Sequence, residues 1–129
     1  MKKFLQISAL AFTLLCVSCT KDVNPYTNTS WGRSVSSMGY EFLEIISFTD
    51  SQFEYYEADL NGNYKDSFAK GNYTYSGNEI YINKVRCNWP RNTDYIMGAS
   101  VEGNKLILHT LEIFSSGASY EFDWVMMKR

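Results

Sequence analysis

The chain has few residues equipped for covalent or acid–base chemistry. One histidine, His109, stands among 129 residues, inside the run Leu106-Ile107-Leu108-His109-Thr110-Leu111. On strand alternation it shares a face with Ile107 and Leu111, which reads as a structural or surface histidine. The cysteines are Cys16, Cys19 and Cys87. One histidine and one internal thiol cannot supply ordinary zinc ligation. No nucleophile, base and orienting residue are joined by motif, as a Ser or Cys hydrolase needs. Carboxylates are more numerous. Glu54, Glu57, Asp59 and Asp66 flank one hairpin, and paired carboxylates can run glycoside hydrolysis. Here they read as solvent-facing strand and turn charges. Asp59-Leu60-Asn61-Gly62-Asn63 lacks the spaced oxygens and terminal Glu of a calcium-binding loop. The sequence therefore predicts no catalytic residue, no metal and no cofactor, hence a protein that is not an enzyme.

What remains is aromatic. Ten Tyr, eight Phe and three Trp are present. Trp31, Tyr73, Tyr75, Tyr120, Phe122 and Trp124 could line a cavity. They could equally fill a core, because side chains can occupy the interior of a small barrel. Trp89, beside Pro90 and Arg91 in the longest loop, could anchor a ligand, stack on a glycan or close a barrel mouth. The candidate binding residues are thus Trp31, Tyr73, Tyr75, Trp89, Phe122 and Trp124. A hollow interior would suit a small apolar or glycan ligand. A filled one would suit an accessory module whose loops engage an envelope protein.

Those side chains must be held by strands. High Tyr, Phe, Thr, Val and Ile content with recurrent Gly-Asn turns favours β structure. Strands are predicted at about Ser30–Ser36, Tyr40–Thr49, Gln52–Leu60, Asp66–Ser76, Glu79–Val85, Asp94–Val101, Lys105–Glu112 and Ala118–Met127. Asn61-Gly62 predicts a type I′ hairpin turn. Gly71, in mid-strand, predicts a bulge or sharp bend. Period-two alternation runs through Ala69, Gly71, Tyr73 and Tyr75, through Ile80 and Ile82, and through Tyr120, Phe122, Trp124 and Met126. Eight sequential antiparallel strands with short turns predict an all-β meander that closes into a small barrel, leaving few edges exposed. No helix is expected in the domain.

The N-terminus carries an address. Lys2 and Lys3 precede an apolar run from Phe4 to Leu15, too short to span a bilayer, and small residues follow. Residues 1–18 read as an export signal. Leu15-Cys16-Val17-Ser18-Cys19 resembles a bacterial lipobox, which implies a diacylglycerol on the Cys19 thiol and cleavage before it. Cleavage at Cys16 would instead put the bulky Leu15 at the cut. Residues 19–29 then read as a lipidated cysteine and polar tether, and residues 30–129 as the barrel domain. Loss of 18 residues from 129 leaves 111, with 10 basic against 14 acidic residues and a net charge of −4. Such a domain has no electrostatic footprint for nucleic acid. Only Cys87 then remains as a thiol, so no internal disulfide can form.

Trp31, the segment Lys70-Gly71-Asn72-Tyr73-Thr74-Tyr75-Ser76-Gly77-Asn78-Glu79-Ile80-Tyr81-Ile82 and the terminal strand Tyr120–Lys128 resemble the small lipocalin-like lipoproteins of Bacteroidetes. The resemblance implies a calycin-type barrel and, by analogy, ligand binding. With the lipobox it implies a chain anchored by lipid in the cell envelope, with the outer membrane as the expected site.

Overall fold

The computed structural model describes residues 23–88 and 93–129. The predicted signal, Cys19 and Trp89 lie outside the described residues. Within them the chain is all-β: β1 Thr29–Ser37, β2 Tyr40–Phe48, β3 Gln52–Ala58, β4 Tyr64–Asn72, β5 Thr74–Ser76, β6 Glu79–Cys87, β7 Thr93–Glu102, β8 Lys105–Ile113 and β9 Ser119–Lys128. They form one antiparallel sheet in the order β4-β3-β2-β1-β9-β8-β7-β6-β5. The sheet curls into a nearly closed barrel. Its ends meet because β4 and β5 are one continuous run of chain, broken at Tyr73, which leaves the β3 side and joins β6. The Asn88 amide also donates to Phe68 O across the join at 2.9 Å.

Nine strands replace the eight expected because the predicted fourth strand is divided at this corner. The irregularities flank Gly71 rather than fall on it. A bulge opposite Tyr55 and Tyr56 inserts Phe68, so that Phe68 and Ala69 are both buried, and the bend comes at Tyr73. An extra residue on one strand breaks alternation in this way. The Asn61-Gly62 hairpin forms, but not as a type I′ turn. Only Gly62 has a positive φ there, and the Asp59 carboxylate accepts from the Asn61 and Asn63 amides, each at 2.9 Å. Asp therefore supplies the turn that Asn was expected to bend, through a side-chain-capped geometry. The expected tether is also shorter. From Asn24 onward the chain packs against the barrel, with Tyr26 buried.

Two ends follow from the register. At one, Tyr26, Trp31, Phe48, Phe53, Tyr73, Ile80, Leu106 and Met126 are buried together. Phe48 meets Tyr73 edge-on at 4.9 Å and Tyr26 meets Tyr75 edge-on at 5.4 Å. Their polar atoms are satisfied at the rim: Tyr26 OH donates to Gly77 O and Tyr73 OH to Thr49 O, both at 2.5 Å. This end is plugged.

Candidate functional site

The other end is open, and the reason lies in the strand ladders. β1 and β9 pair only at Trp31–Lys128 and Gly32–Met127. Beyond that point the two strands part. A cavity of about 290 Å³ lies behind the gap, bounded among the described residues by Arg33, Val35, Ser36, Ser37, Glu44, Tyr55, Cys87, Tyr95, Met97, Thr110, Glu112, Phe122 and Trp124. Val35, Ser36 and Ser37 are consecutive in a strand, so their side chains alternate in direction.

Three rungs run across β7, β8 and β9 on its far side, and from them Tyr95, Met97, Thr110, Glu112, Phe122 and Trp124 line it. Nearest the plug is Ala99–Leu108–Trp124, then Met97–Thr110–Phe122, then Tyr95–Glu112–Tyr120. The inward face of β8 therefore reads Leu106, Leu108, Thr110, Glu112, turning from apolar to polar toward the mouth. β9 shows the matching gradient in burial: Met126 is 0% exposed, Trp124 and Phe122 are half-buried, and Tyr120 is 60% exposed.

The near wall carries an ion pair. Arg33 and Glu44 are cross-strand partners on β1 and β2. Arg33 Nε and Nη2 reach Glu44 Oε1 at 2.7 and 2.5 Å, with the Glu44 side chain only 2% exposed. The guanidinium also lies over the Trp124 ring, its carbon 3.5 Å from the centroid, and so bridges the parted strands. Tyr55 on β3 hydrogen bonds to Glu44. Burial first, then the charge and hydrogen bond of Glu44, hold the Tyr55 hydroxyl well above its usual range. Burial likewise pushes the Cys87 thiol up to about 11, so this cysteine is a protonated, unreactive part of the wall. Thr110 is buried, and its Oγ1 has no hydrogen-bond partner among the described residues.

Of the aromatic candidates, Phe122 and Trp124 line the cavity. Trp31, Tyr73 and Tyr75 belong to the plugged end, and Tyr120 faces solvent. Arg33, Glu44, Tyr55, Thr110 and Glu112 escaped the sequence reading. The signal for them was present as polar residues on the apolar phase of their strands: Glu44 between Phe42 and Ile46, Arg33 between Trp31 and Val35, Thr110 and Glu112 beyond Leu108.

His109, read as a structural or surface histidine, faces outward, but it has company. Ser100 Oγ is 2.7 Å from His109 Nε2, and His109 Nδ1 is 3.0 Å from Asp123 Oδ1. These are the atom pairs of a Ser-His-Asp hydrolase, which sequence motifs missed because the residues come from three strands. The surroundings differ from a hydrolase. Ser100 lies mid-strand between two ladders, facing Glu79 and Ile107, so strand pairing occupies the backbone around it. Glu79 Oε2, 3.3 Å from Ser100 Oγ, would oppose a developing oxyanion. The chain of bonds reads as a cross-strand tie on the barrel wall. Among the described residues no group of three or more His, Cys, Asp and Glu side chains is placed to hold a metal, and no helix is long and apolar enough to cross a membrane. Comparison with family models, curated proteins and solved structures gives no match to this chain.

Proposed function

We propose that this chain is a lipid-anchored cell-envelope protein whose calycin-type barrel binds a small, largely apolar molecule without catalysing a reaction on it. The observation that carries the reading is the 290 Å³ cavity at the open end, walled by Met97, Phe122 and Trp124 and carrying a few polar groups. Ligand sites combine these same features: concavity, apolar walls and a small number of placed polar atoms. The apolar wall supports a small molecule over a glycan. The basic head, apolar run and lipobox-like Leu15–Cys19 support export and anchoring, and several acyl chains would make that anchorage stable.

A fluorescence experiment tests the binding reading. The full-length protein in nanodiscs should enhance N-phenyl-1-naphthylamine fluorescence above an empty-nanodisc blank. Val35→Trp, which narrows the mouth, should abolish the enhancement while circular dichroism stays unchanged. Equal enhancement in both proteins, or none in the parent, would reject a ligand at this site. The anchor is tested separately: labelling with radioactive palmitate in the native host should disappear in Cys19→Ala.

A second reading has one observation in its favour. The β1 edge from Arg33 to Ser37 has no ladder to β9, and a partner protein in the envelope could add an extended strand there. Slowed amide exchange at Arg33–Ser37 in whole envelopes, relative to the purified protein, would favour it.

A further inference from the structure

We propose that the open-end cavity takes an uncharged molecule of one or two rings bearing a hydroxyl or carbonyl group, and that Thr110 is the residue that reads that group. The inference rests on the binding function proposed above and narrows its ligand class.

Size comes first. About 290 Å³ is at the lower end for ligand pockets. The plug of Trp31, Phe48 and Met126 closes the floor, so a long chain cannot extend through the barrel. Aromatic and thioether walls from Phe122, Trp124 and Met97 favour a flat ring face.

Charge comes second. Among the described residues Arg33 is the cation in the lining, and both its Nε and Nη2 are turned to Glu44 while its face covers Trp124. Glu44 and Glu112 both contribute buried carboxylates to the same wall. An anionic ligand would meet the buried Glu44 carboxylate with the guanidinium already engaged by it. It would also lose its hydration in an apolar cup.

Polarity comes third. Thr110 is 6% exposed, lines the cavity between Met97 and Phe122, and leaves Oγ1 unpartnered among the described residues. Buried hydroxyls are seldom left so, because the unmade bond costs stability. A threonine hydroxyl both donates and accepts, so it matches a ligand hydroxyl or carbonyl. No charge is needed from the ligand.

Three probes of one shape separate these claims. Naphthalene, 2-naphthol and 2-naphthoate are titrated calorimetrically into the full-length protein in nanodiscs, against an empty-nanodisc blank. The expected order is 2-naphthol tightest, naphthalene about tenfold weaker through the missing hydrogen bond, and 2-naphthoate weakest. Thr110→Val should bring 2-naphthol down to the affinity of naphthalene while leaving naphthalene unweakened. Thr110→Ser should keep the advantage of 2-naphthol. Tightest binding by 2-naphthoate, or an undiminished 2-naphthol advantage in Thr110→Val, overturns the inference and leaves the binding function standing. Failure of all three probes to bind overturns both. The 2-naphthoate comparison needs no variant, so a misfolded Thr110→Val would not shelter the claim.

Discussion

The two ends of this barrel are built from the same strands and come out opposite. At the plugged end, Trp31, Phe48, Tyr73 and Met126 fill the interior, and the tyrosine hydroxyls find carbonyls at the rim. At the open end the same inward faces carry Arg33, Glu44, Thr110 and Glu112, and the β1–β9 ladder has stopped. The contrast shows how a small sheet keeps a hollow. Aromatic rings interlock where the β1–β9 ladder holds, and buried polar groups face the interior where it has stopped.

The comparison is broken most strongly by removing the plug. Trp31→Ala should cost about 3–5 kcal/mol in urea unfolding, the usual range for deleting a fully buried aromatic. Trp124→Ala, on the half-buried cavity wall, should cost about 1–2 kcal/mol and abolish dye binding. Equal costs would mean that the open end is packed like the plug.

The next effect concerns the buried ion pair. Arg33→Ala strands Glu44 inside the barrel and should cost about 3 kcal/mol. Arg33→Met with Glu44→Leu should recover most of that, because neither charge then needs a partner. A double variant as unstable as the single one would show that the pair holds the seam through its geometry rather than its charge balance.

Alkaline pH acts on both ends, since burial also raises the Tyr26 and Tyr73 hydroxyls of the plug, and one variant isolates the share of the cavity wall. Cys87 and Tyr55, both in the cavity wall, hold their protons above their ordinary values of 9.0 and 10.0. The unfolded chain releases these protons first. Stability is therefore full below about pH 9 and falls as pH rises through the folded values. Melting temperature should be flat at neutral pH and decline above about pH 9, less steeply in Cys87→Ala. An unchanged slope in that variant would place the alkaline weakness elsewhere.

The smallest effect belongs to the outer wall. His109 and Asp123 are both well exposed, so His109→Ala should cost under about 1 kcal/mol and leave dye binding unchanged. Loss of binding would tie the outer chain of bonds to the cavity.

How much of this was legible beforehand depends on which physical rule each region obeys. Alternation located the strands and the buried Ile80, Ile82 and Met126, because a two-residue period with one dry face leaves little choice. It failed at Phe68, where one inserted residue reset the phase; through Tyr73 the phase held, and only the corner that divides the strand there went unread. The reading followed aromatic side chains, and most of those serve the plug. The cavity is marked instead by polar residues on the apolar phase, Glu44 in β2 and Thr110 with Glu112 in β8. Their meaning appears only once the register sets Met97, Thr110 and Phe122 on one rung.

One measurement tests the central claim of a plugged and an open end. Methionine methyl groups in the full-length protein can be labelled with carbon-13 and followed by NMR as 2-naphthol is added. Met97 lines the cavity and Met126 sits in the plug. The account predicts that the Met97 methyl shifts and saturates while Met126 stays in place. A Met97 signal that does not move, or a Met126 signal that moves as far, would contradict it.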